Sequence, residues 1–288
     1  MTEPRLDHVL CLHQNGLHRL AYWEWGDPAN PHVVLCTHGL SRQGRDFDTL
    51  ARDLAAHCRV VCPDFPGRGR SDWLRDPNAY SIPTYVADTV TLLARVNART
   101  VDCVGTSLGG LVGLGLASLK NTPLRRLVLN DVGPTVEPIS IERIREYLGV
   151  PVRWSSLEEA ADDLWKVSQS FGPHTRDQWL ALTRPQLKQD ADGFVLHYDP
   201  KIAVPVAAMT PQVIAAAEAM LWYAYDSLRI PTLLLRGVDS DLLSPATARA
   251  MTERGPRARL VQFDGVGHAP TLVQPDQIQA VKEFLLAP

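Results

Sequence analysis

Ser107 lies at the centre of the motif GTSLG (105–109), which ends an apolar run and precedes a run with helical periodicity. A serine on a tight strand-to-helix turn adopts strained dihedral angles, and residues two positions away must be small because backbones pass close there. The helix that follows points its N-terminal amides toward the serine. The motif predicts a nucleophile at Ser107; the alternative is an incidental serine in a glycine-rich turn.

A serine hydroxyl needs a base to remove its proton, and His268 is the strongest candidate among the nine histidines. It lies in DGVGHAP, after the last predicted strand and before the last predicted helix. Open parallel sheets bind their ligands at the carboxyl ends of the strands, where this loop belongs. Only a neutral imidazole accepts the proton. Activity is therefore expected to fall as the pH drops below about 6.5, the usual pKa of histidine.

The histidine in turn needs a carboxylate to orient it, and three aspartates are candidates. Asp239 and Asp241 follow one predicted strand, and Asp131 ends an earlier strand on the same edge of the sheet. We rank Asp241 first because it lies closer to the next helix, in the loop beyond the strand end. Asp239 is interpreted as a residue that stabilises the turn, and Asp131 stays a geometric rival.

The sequence His38-Gly39-Leu40 ends an early predicted strand and supplies the fourth element of the site. Gly39 lets the chain turn so that the amide of Leu40 donates to a developing oxyanion, and the amide of Leu108 is expected to be the second donor. Loss of one such donor typically lowers turnover by about 10²–10³-fold. His38 is interpreted as a structural, hydrogen-bonding histidine. This chemistry needs neither a metal nor an organic cofactor.

Short apolar runs rich in Val and Leu predict strands that are buried on both faces. They lie at 32–38, 59–65, 100–107, 125–131, 231–237 and 258–268. Helical patterns alternate with them at 44–57, 81–97, 108–120, 244–254 and 274–286. Repeated βα units predict a doubly wound, mostly parallel sheet. Asn15-Gly16, between two alternating stretches, predicts that the sheet begins with an antiparallel hairpin.

The alternation breaks between 135 and 228, where helical patterns dominate. They lie at 139–148, 156–171, 175–189 and 211–224. Because strands on both sides belong to one sheet, the segment is predicted to be an insert. The predicted division is a core of 1–134 and 229–288 with a helical domain, 135–228, inserted after the sixth strand. Its tryptophans are expected to fasten small helices more often than to line a pocket.

Composition places the chain among ordinary globular proteins, with 288 residues, 45% hydrophobic, 21% charged and a net charge of -3. Nothing in this balance favours nucleic acid, which normally requires a basic face. The five cysteines are odd in number and lack CxxC spacing, so neither a disulfide framework nor a zinc site is expected. The start of the chain lacks a signal pattern, and no apolar stretch approaches 18 residues. We expect a soluble cytoplasmic protein without a membrane partner.

These motifs together resemble the α/β-hydrolase superfamily along essentially the whole chain. His38-Gly39 is similar to the HG motif of its oxyanion loop, and PDFPGRGRS (63–71) is similar to its D-x-P-G-x-G-x-S loop. GTSLGG (105–110) resembles its nucleophile elbow, and Asp241 and His268 follow the serine in the family's chain order. The resemblance implies an α/β-hydrolase fold in which 135–228 is a helical cap over the active site.

The elbow distinguishes branches of this superfamily. Haloalkane dehalogenases and epoxide hydrolases carry an aspartate where Ser107 stands, and proline iminopeptidases usually carry GGSWG. Carbon–carbon hydrolases share the serine and the cap, although many read SMGG where this chain reads SLGG (107–110). The expected function is that of a serine hydrolase that cleaves small carboxylic esters through an acyl-enzyme. Carbon–carbon bond hydrolysis, or a non-hydrolytic lyase, oxygenase or receptor, stays as an alternative.

Overall fold

A computed structural model of the chain describes residues 3–287, in which strands and helices alternate over most of the length. The strands within these residues are β1 (Arg5–His13), β2 (Gly16–Trp25), β3 (His32–Thr37), β4 (Arg59–Pro63), β5 (Thr100–Thr106), β6 (Leu124–Asn130), β7 (Arg153–Trp154), β8 (Leu187–Asp190), β9 (Gly193–Leu196), β10 (Thr232–Gly237) and β11 (Arg259–Phe263). The α-helices are α1 (Asp48–Leu54), α2 (Ile82–Val96), α3 (Leu108–Ser118), α4 (Pro138–Tyr147), α5 (Leu157–Ser168), α6 (Arg176–Thr183), α7 (Ala203–Ala207), α8 (Pro211–Ser227), α9 (Pro245–Glu253) and α10 (Pro275–Leu286).

Eight of these strands form one sheet in the order β1-β2-β4-β3-β5-β6-β10-β11. β2 pairs antiparallel with both β1 and β4, and the remaining neighbours run parallel. His13 pairs with Gly16, so the hairpin predicted from Asn15-Gly16 is confirmed. All six predicted parallel strands are present, and the predicted fold class, a mostly parallel sheet between helices, is confirmed as well.

The central strands are buried on both faces of the sheet. In β3, Val33 and Leu35 contact the core beneath α2 and α3, whereas Val34 and Cys36 contact the core beneath α1 and α10. Successive side chains of a strand point to opposite faces, so both sets must be apolar. This arrangement explains why the strand reads as an uninterrupted apolar run, and it places the carboxyl ends of β3, β5 and β6 side by side.

The segment between β6 and β10 leaves the main sheet and contains α4 to α8 together with a second sheet, in the order β7-β9-β8. The sequence predicted one helix over 175–189, but α6 ends at Thr183 and a 3-10 turn containing Pro185 leads into β8. Proline has no N–H for a helical hydrogen bond. Gly193, at φ +130°, begins the returning strand, so the insert is not purely helical.

Tryptophans hold the elements of the insert to one another. Trp179 donates its indole N–H to the carbonyl of Ala161 at 2.7 Å, and Trp154 donates to Asp163 at 2.9 Å. Trp165 packs edge-on against Trp179 with ring centroids 5.0 Å apart. The expectation that these residues fasten helices is confirmed by these contacts.

The last two helices of the insert are rich in apolar residues. Within residues 3–287, no single helix has both the length and the apolar content that crossing a bilayer requires. Pro200–Ala207 and Pro211–Ser227 meet those requirements only as a pair, with a bend of 92° between them.

Candidate active site

Ser107 occupies the turn between β5 and α3, with φ 52° and ψ -119°. A positive φ is uncommon for a residue with a side chain and marks local strain of the kind found at functional sites. The N–H of Ser107 donates to the carbonyl of Asn130 at 3.0 Å, and its own carbonyl accepts from Gly110 and Leu111. These bonds fix the turn at the carboxyl end of β5, so the predicted strand-to-helix junction is confirmed.

The glycines two residues on either side of Ser107 are required for steric reasons. A Cβ atom on Gly109 would lie 2.0 Å from the carbonyl oxygen of Thr37, and one on Gly105 would lie 2.5 Å from the backbone nitrogen of Gly110. Neither backbone atom can move without displacing a strand or a helix. Gly39 differs, since a Cβ there would first meet Arg42 Cγ at 3.6 Å, an ordinary van der Waals distance.

Replacing Gly109 with alanine is expected to reduce the free energy of unfolding by about 3 kcal/mol, because overpacking against backbone forces strand and helix apart. Gly39→Ala is the matched control and should change stability by less than about 1 kcal/mol. Urea denaturation followed by circular dichroism measures both variants. Equal stabilities for the two would show that the close approach at Gly109 relaxes at little cost.

A chain of hydrogen bonds connects three side chains at this edge of the sheet. His268 Nε2 lies 3.0 Å from Ser107 Oγ, and His268 Nδ1 lies 2.7 Å from Asp131 Oδ2. The side chain of His268 is 12% exposed and that of Asp131 is fully buried. A buried carboxylate accepts the Nδ1 proton and leaves Nε2 free to accept the serine proton, which is the tautomer that a general base requires.

The structure contradicts the choice of Asp241 as the carboxylate beside His268. Asp241 accepts instead from Arg143 of α4, at 2.7 Å from Nε and 3.0 Å from Nη2. It lies four residues beyond the end of β10 and joins this loop to the insert. Asp239 does not fill the role either, because within residues 3–287 its carboxylate accepts no hydrogen bond from His268. Its backbone N–H donates to the carbonyl of Val266 at 2.9 Å.

Asp131 takes that position because it follows directly on β6, the neighbour of the strand that carries the elbow. A φ of 53° turns its side chain out of the strand direction. Its Oδ1 accepts from the N–H of Gly237 at 3.0 Å, and its Oδ2 accepts from Ser240 Oγ at 2.6 Å. The loop after β10 therefore holds the carboxylate instead of supplying it.

Leu40 and Leu108, the predicted oxyanion donors, lie on the loop after β3 and at the start of α3. Leu108 is the first residue of α3, and the first N–H groups of a helix have no acceptor within it. Leu40 lines the same cavity as Ser107, and a Cβ on Gly39 would lie 3.8 Å from Ser107 Cβ. Both placements suit an oxyanion hole, and the donor roles stay predictions.

His38 fixes the peptide group that carries the Leu40 N–H. Its Nδ1 donates to the carbonyl of Gly39 at 2.7 Å, and its Nε2 accepts from the N–H of Phe65 at 2.9 Å. The carbonyl of Gly39 and the N–H of Leu40 belong to one peptide unit, so this bond orients the donor and polarises it. Burial lowers the pKa of His38 to about 3. The interpretation of His38 as a structural, hydrogen-bonding residue is confirmed by these contacts.

His38 is expected to stay neutral at pH 4.5, where ordinary histidines are charged. Below about pH 6.5 this histidine binds a proton in the unfolded chain but stays neutral in the folded protein. The stability that this group gives above pH 6.5 is therefore lost as the pH falls toward 3, by about 2–3 kcal/mol at pH 4.5. Histidine ring resonances followed by NMR give the test directly. A His38 ring that titrates near pH 6.5 would contradict the assignment.

The cavity above Ser107 lies between the core and the insert and has a volume of about 160 Å³. Ser107 and His268 line it from the core, and Ile144, Tyr147 and Phe171 line it from the insert. Cavities of about this size hold a molecule as large as benzene. An acyl unit of about six heavy atoms therefore fits in the cavity that Ser107 lines.

This fold and this constellation define the α/β-hydrolases, and the comparison with known families agrees. The model of the alpha/beta hydrolase family matches residues 33–281, so the chain belongs to that family. It is a hydrolase, as its relatives are, and the suspected resemblance is confirmed.

Two relatives and one solved structure are similar to this chain over most of its length. A 3-hydroxybutyrate-oligomer hydrolase of Cupriavidus necator is 52% identical over 287 residues, which cover 98% of each chain. A pimeloyl-[acyl-carrier protein] methyl ester esterase of Aeromonas salmonicida is 25% identical and covers 88% of this chain and 95% of its own. The crystal structure of an alpha/beta hydrolase from Novosphingobium aromaticivorans is 37% identical, with a TM-score of 0.87 and 99% of both chains covered.

Proposed function

We propose that the protein cleaves carboxylic esters with Ser107 as the nucleophile, and that its substrates are short oligomers of hydroxy acids such as 3-hydroxybutyrate. The observation that supports ester cleavage most strongly is the continuous hydrogen-bond chain Ser107–His268–Asp131 beneath a cavity. The oligomer is inferred from the relative of 52% identity whose name states that substrate.

The first half of the reaction acylates the serine. Ser107 Oγ bonds to the ester carbonyl carbon while its proton passes to His268 Nε2, and the carbonyl electron pair moves onto the oxygen. The Leu40 and Leu108 amides donate to this oxyanion. The tetrahedral intermediate then collapses, the bond to the alcohol oxygen breaks, and the alcohol leaves with the proton from His268. Asp131 stabilises the charged imidazolium throughout.

The second half reverses these roles with water as the nucleophile. His268 Nε2 takes a proton from water, whose oxygen bonds to the acyl carbon of the ester on Ser107. The acid product leaves, and the serine regains its proton from His268. Every proton and electron pair is accounted for by these side chains and water, so the proposed reaction requires no metal and no organic cofactor.

The insert acts in this proposal as a cap that closes over the reacting ester. Ile144, Tyr147 and Phe171 give the cavity an apolar wall against which the methyl group of a hydroxybutyryl unit packs. One such acyl unit has six heavy atoms, which matches the size of the cavity. Exclusion of water by the cap strengthens the hydrogen bonds to the oxyanion, because they form in a medium of low dielectric.

A panel of substrates tests the proposal. Dimers and trimers of 3-hydroxybutyrate should be hydrolysed with a kcat/KM at least about tenfold above that of p-nitrophenyl esters of eight or more carbons, because long acyl chains exceed the cavity. Product formation is followed by chromatography. If the protein hydrolyses long-chain esters faster, the oligomer assignment is wrong. If it hydrolyses a vinylogous diketone and no ester, the carbon–carbon hydrolase alternative takes its place.

A further inference from the structure

Two arginines that no catalytic step uses line the cavity above Ser107. Arg42 lies just after the oxyanion loop of the core, and Arg143 lies on α4 of the insert. Arg42 donates from Nε to Asp46 at 2.5 Å and from Nη2 at 2.9 Å. Arg143 donates in the same two-point manner to Asp241, at 2.7 and 3.0 Å. Each guanidinium is thus held along one edge.

The other edge of each guanidinium is uncommitted. A guanidinium carries five N–H donors, of which the two-point pair with a carboxylate uses two. Within residues 3–287, Nη1 of neither Arg42 nor Arg143 has a hydrogen-bond partner. An arginine that is already oriented by an aspartate loses little conformational freedom when a second carboxylate binds.

Both arginines line the same cavity as the reacting serine. A Cβ atom on Gly39 would lie 3.6 Å from Arg42 Cγ and 3.8 Å from Ser107 Cβ, so the side chains of Arg42 and Ser107 both border Gly39. Burial raises the pKa of Tyr147, and the positive charges of Arg143 and Arg42 both oppose that rise. The charges of both arginines therefore act on Tyr147, which lines the cavity.

Each arginine is paired with an aspartate, but only one of the two aspartates lines the cavity. Among the described lining residues, Arg42 and Arg143 are positive and Asp46 is the only acidic residue. Asp241, which pairs with Arg143, does not line the cavity, and that pair is partly exposed, at 36% and 39%. Partly exposed ion pairs contribute little to stability, so Arg143 can share its charge with a ligand at small cost.

We infer that Arg42 and Arg143 form a subsite for a carboxylate, which receives the free acid end of the substrate while an ester bond further along the chain lies at Ser107. This inference rests on the proposed function, which supplies the substrate, an oligomer of hydroxy acids. Guanidinium groups recognise carboxylates through charge-assisted hydrogen bonds. The subsite selects oligomers with a free carboxyl end over neutral esters, and it sets the distance from that end at which the chain is cut.

Binding to a variant that cannot turn over tests the subsite apart from the chemistry. In a Ser107→Ala background, isothermal titration calorimetry compares the 3-hydroxybutyrate trimer with its methyl ester. Arg143→Gln and Arg42→Gln should each weaken binding of the acid by about tenfold or more, and binding of the methyl ester by less than about twofold. Arg153→Gln is the matched control, because Arg153 also makes a two-point pair with an aspartate, through its two Nη atoms to Asp190, elsewhere on the insert.

Each outcome decides the inference. Equal binding of acid and ester, or equal losses for both in the arginine variants, overturns the subsite. A trimer that binds in neither form overturns both the oligomer assignment and the subsite. Turnover of p-nitrophenyl butyrate by the wild-type protein tests ester cleavage separately from the subsite, since that neutral substrate does not engage a carboxylate subsite.

Discussion

Replacing Asp131 with asparagine is expected to lower kcat for p-nitrophenyl butyrate by about 10⁴-fold. The NH2 group of an asparagine that faces His268 Nδ1 donates a hydrogen bond to that nitrogen. The imidazole then carries its own proton on Nε2 and cannot accept one from Ser107. The bonds from Gly237 and Ser240 favour a fixed orientation of the new side chain. Initial rates at pH 7.5 give the measurement.

The matched control is Asp241→Asn, which removes the carboxylate that we ranked first from the sequence as the partner of His268. Its loss breaks a half-exposed ion pair with Arg143, worth about 1 kcal/mol or less, and leaves His268 untouched. Turnover of the neutral ester should fall by less than about tenfold. A large loss for Asp241→Asn together with a small loss for Asp131→Asn would reverse the assignment. Circular dichroism of both variants separates catalysis from folding.

Replacing Ser107 with alanine is expected to lower kcat by about 10⁶-fold, down to the rate that oxyanion binding alone supports. The effect exceeds that of any other single change because the acyl-enzyme cannot form without the hydroxyl. Substrate affinity should change little, since the alanine side chain fits the same turn. Initial rates with p-nitrophenyl butyrate, at high enzyme concentration, measure the residual activity.

Ser118→Ala controls for the loss of a serine hydroxyl from the same segment. Ser118 ends α3, is exposed, and donates to the carbonyl of Gly115 at 2.8 Å. Its turnover should match that of the wild type within about twofold. A Ser107→Ala variant that keeps more than about one hundredth of the wild-type rate would mean that another group attacks the ester.

Features with a local cause were predictable from the sequence. The elbow could be located because the strand–turn–helix motif is local. A Cβ atom on Gly105 would collide with Gly109 and Gly110, only four and five residues further along. The first hairpin could be located because Asn-Gly favours its turn wherever it stands. His268 could be chosen because the loop after the last parallel strand must lie at the ligand-binding edge.

Features that depend on residues far apart in the chain could not be predicted from the sequence. Asp131 and Asp241 both follow strands at the same edge, and only the order β5-β6-β10 decides which carboxylate reaches His268. A signal was present, since Asp131 directly follows its strand whereas Asp241 lies four residues beyond its own. The small sheet of the insert was missed because β8 and β9 have four residues each, too few for a period of two to stand out.

The roles of the insert illustrate the same limit. The sequence places helices between 135 and 228, but nothing in their periodicity indicates that Tyr147 and Phe171 face the core across a cavity. Arg143 was likewise invisible as a candidate, because its importance depends on meeting Asp241 about a hundred residues later. Such pairings follow from packing, which a single sequence does not display.

The central claim is that Ser107 is a nucleophile activated by His268, and covalent labelling tests it most directly. The protein is treated with a fluorophosphonate, digested, and analysed by mass spectrometry while ester turnover is followed in parallel. The account predicts one label per chain on Ser107, loss of turnover in proportion to labelling, and far slower labelling of a His268→Gln variant. A label on another residue, or full turnover after complete labelling of Ser107, would contradict it.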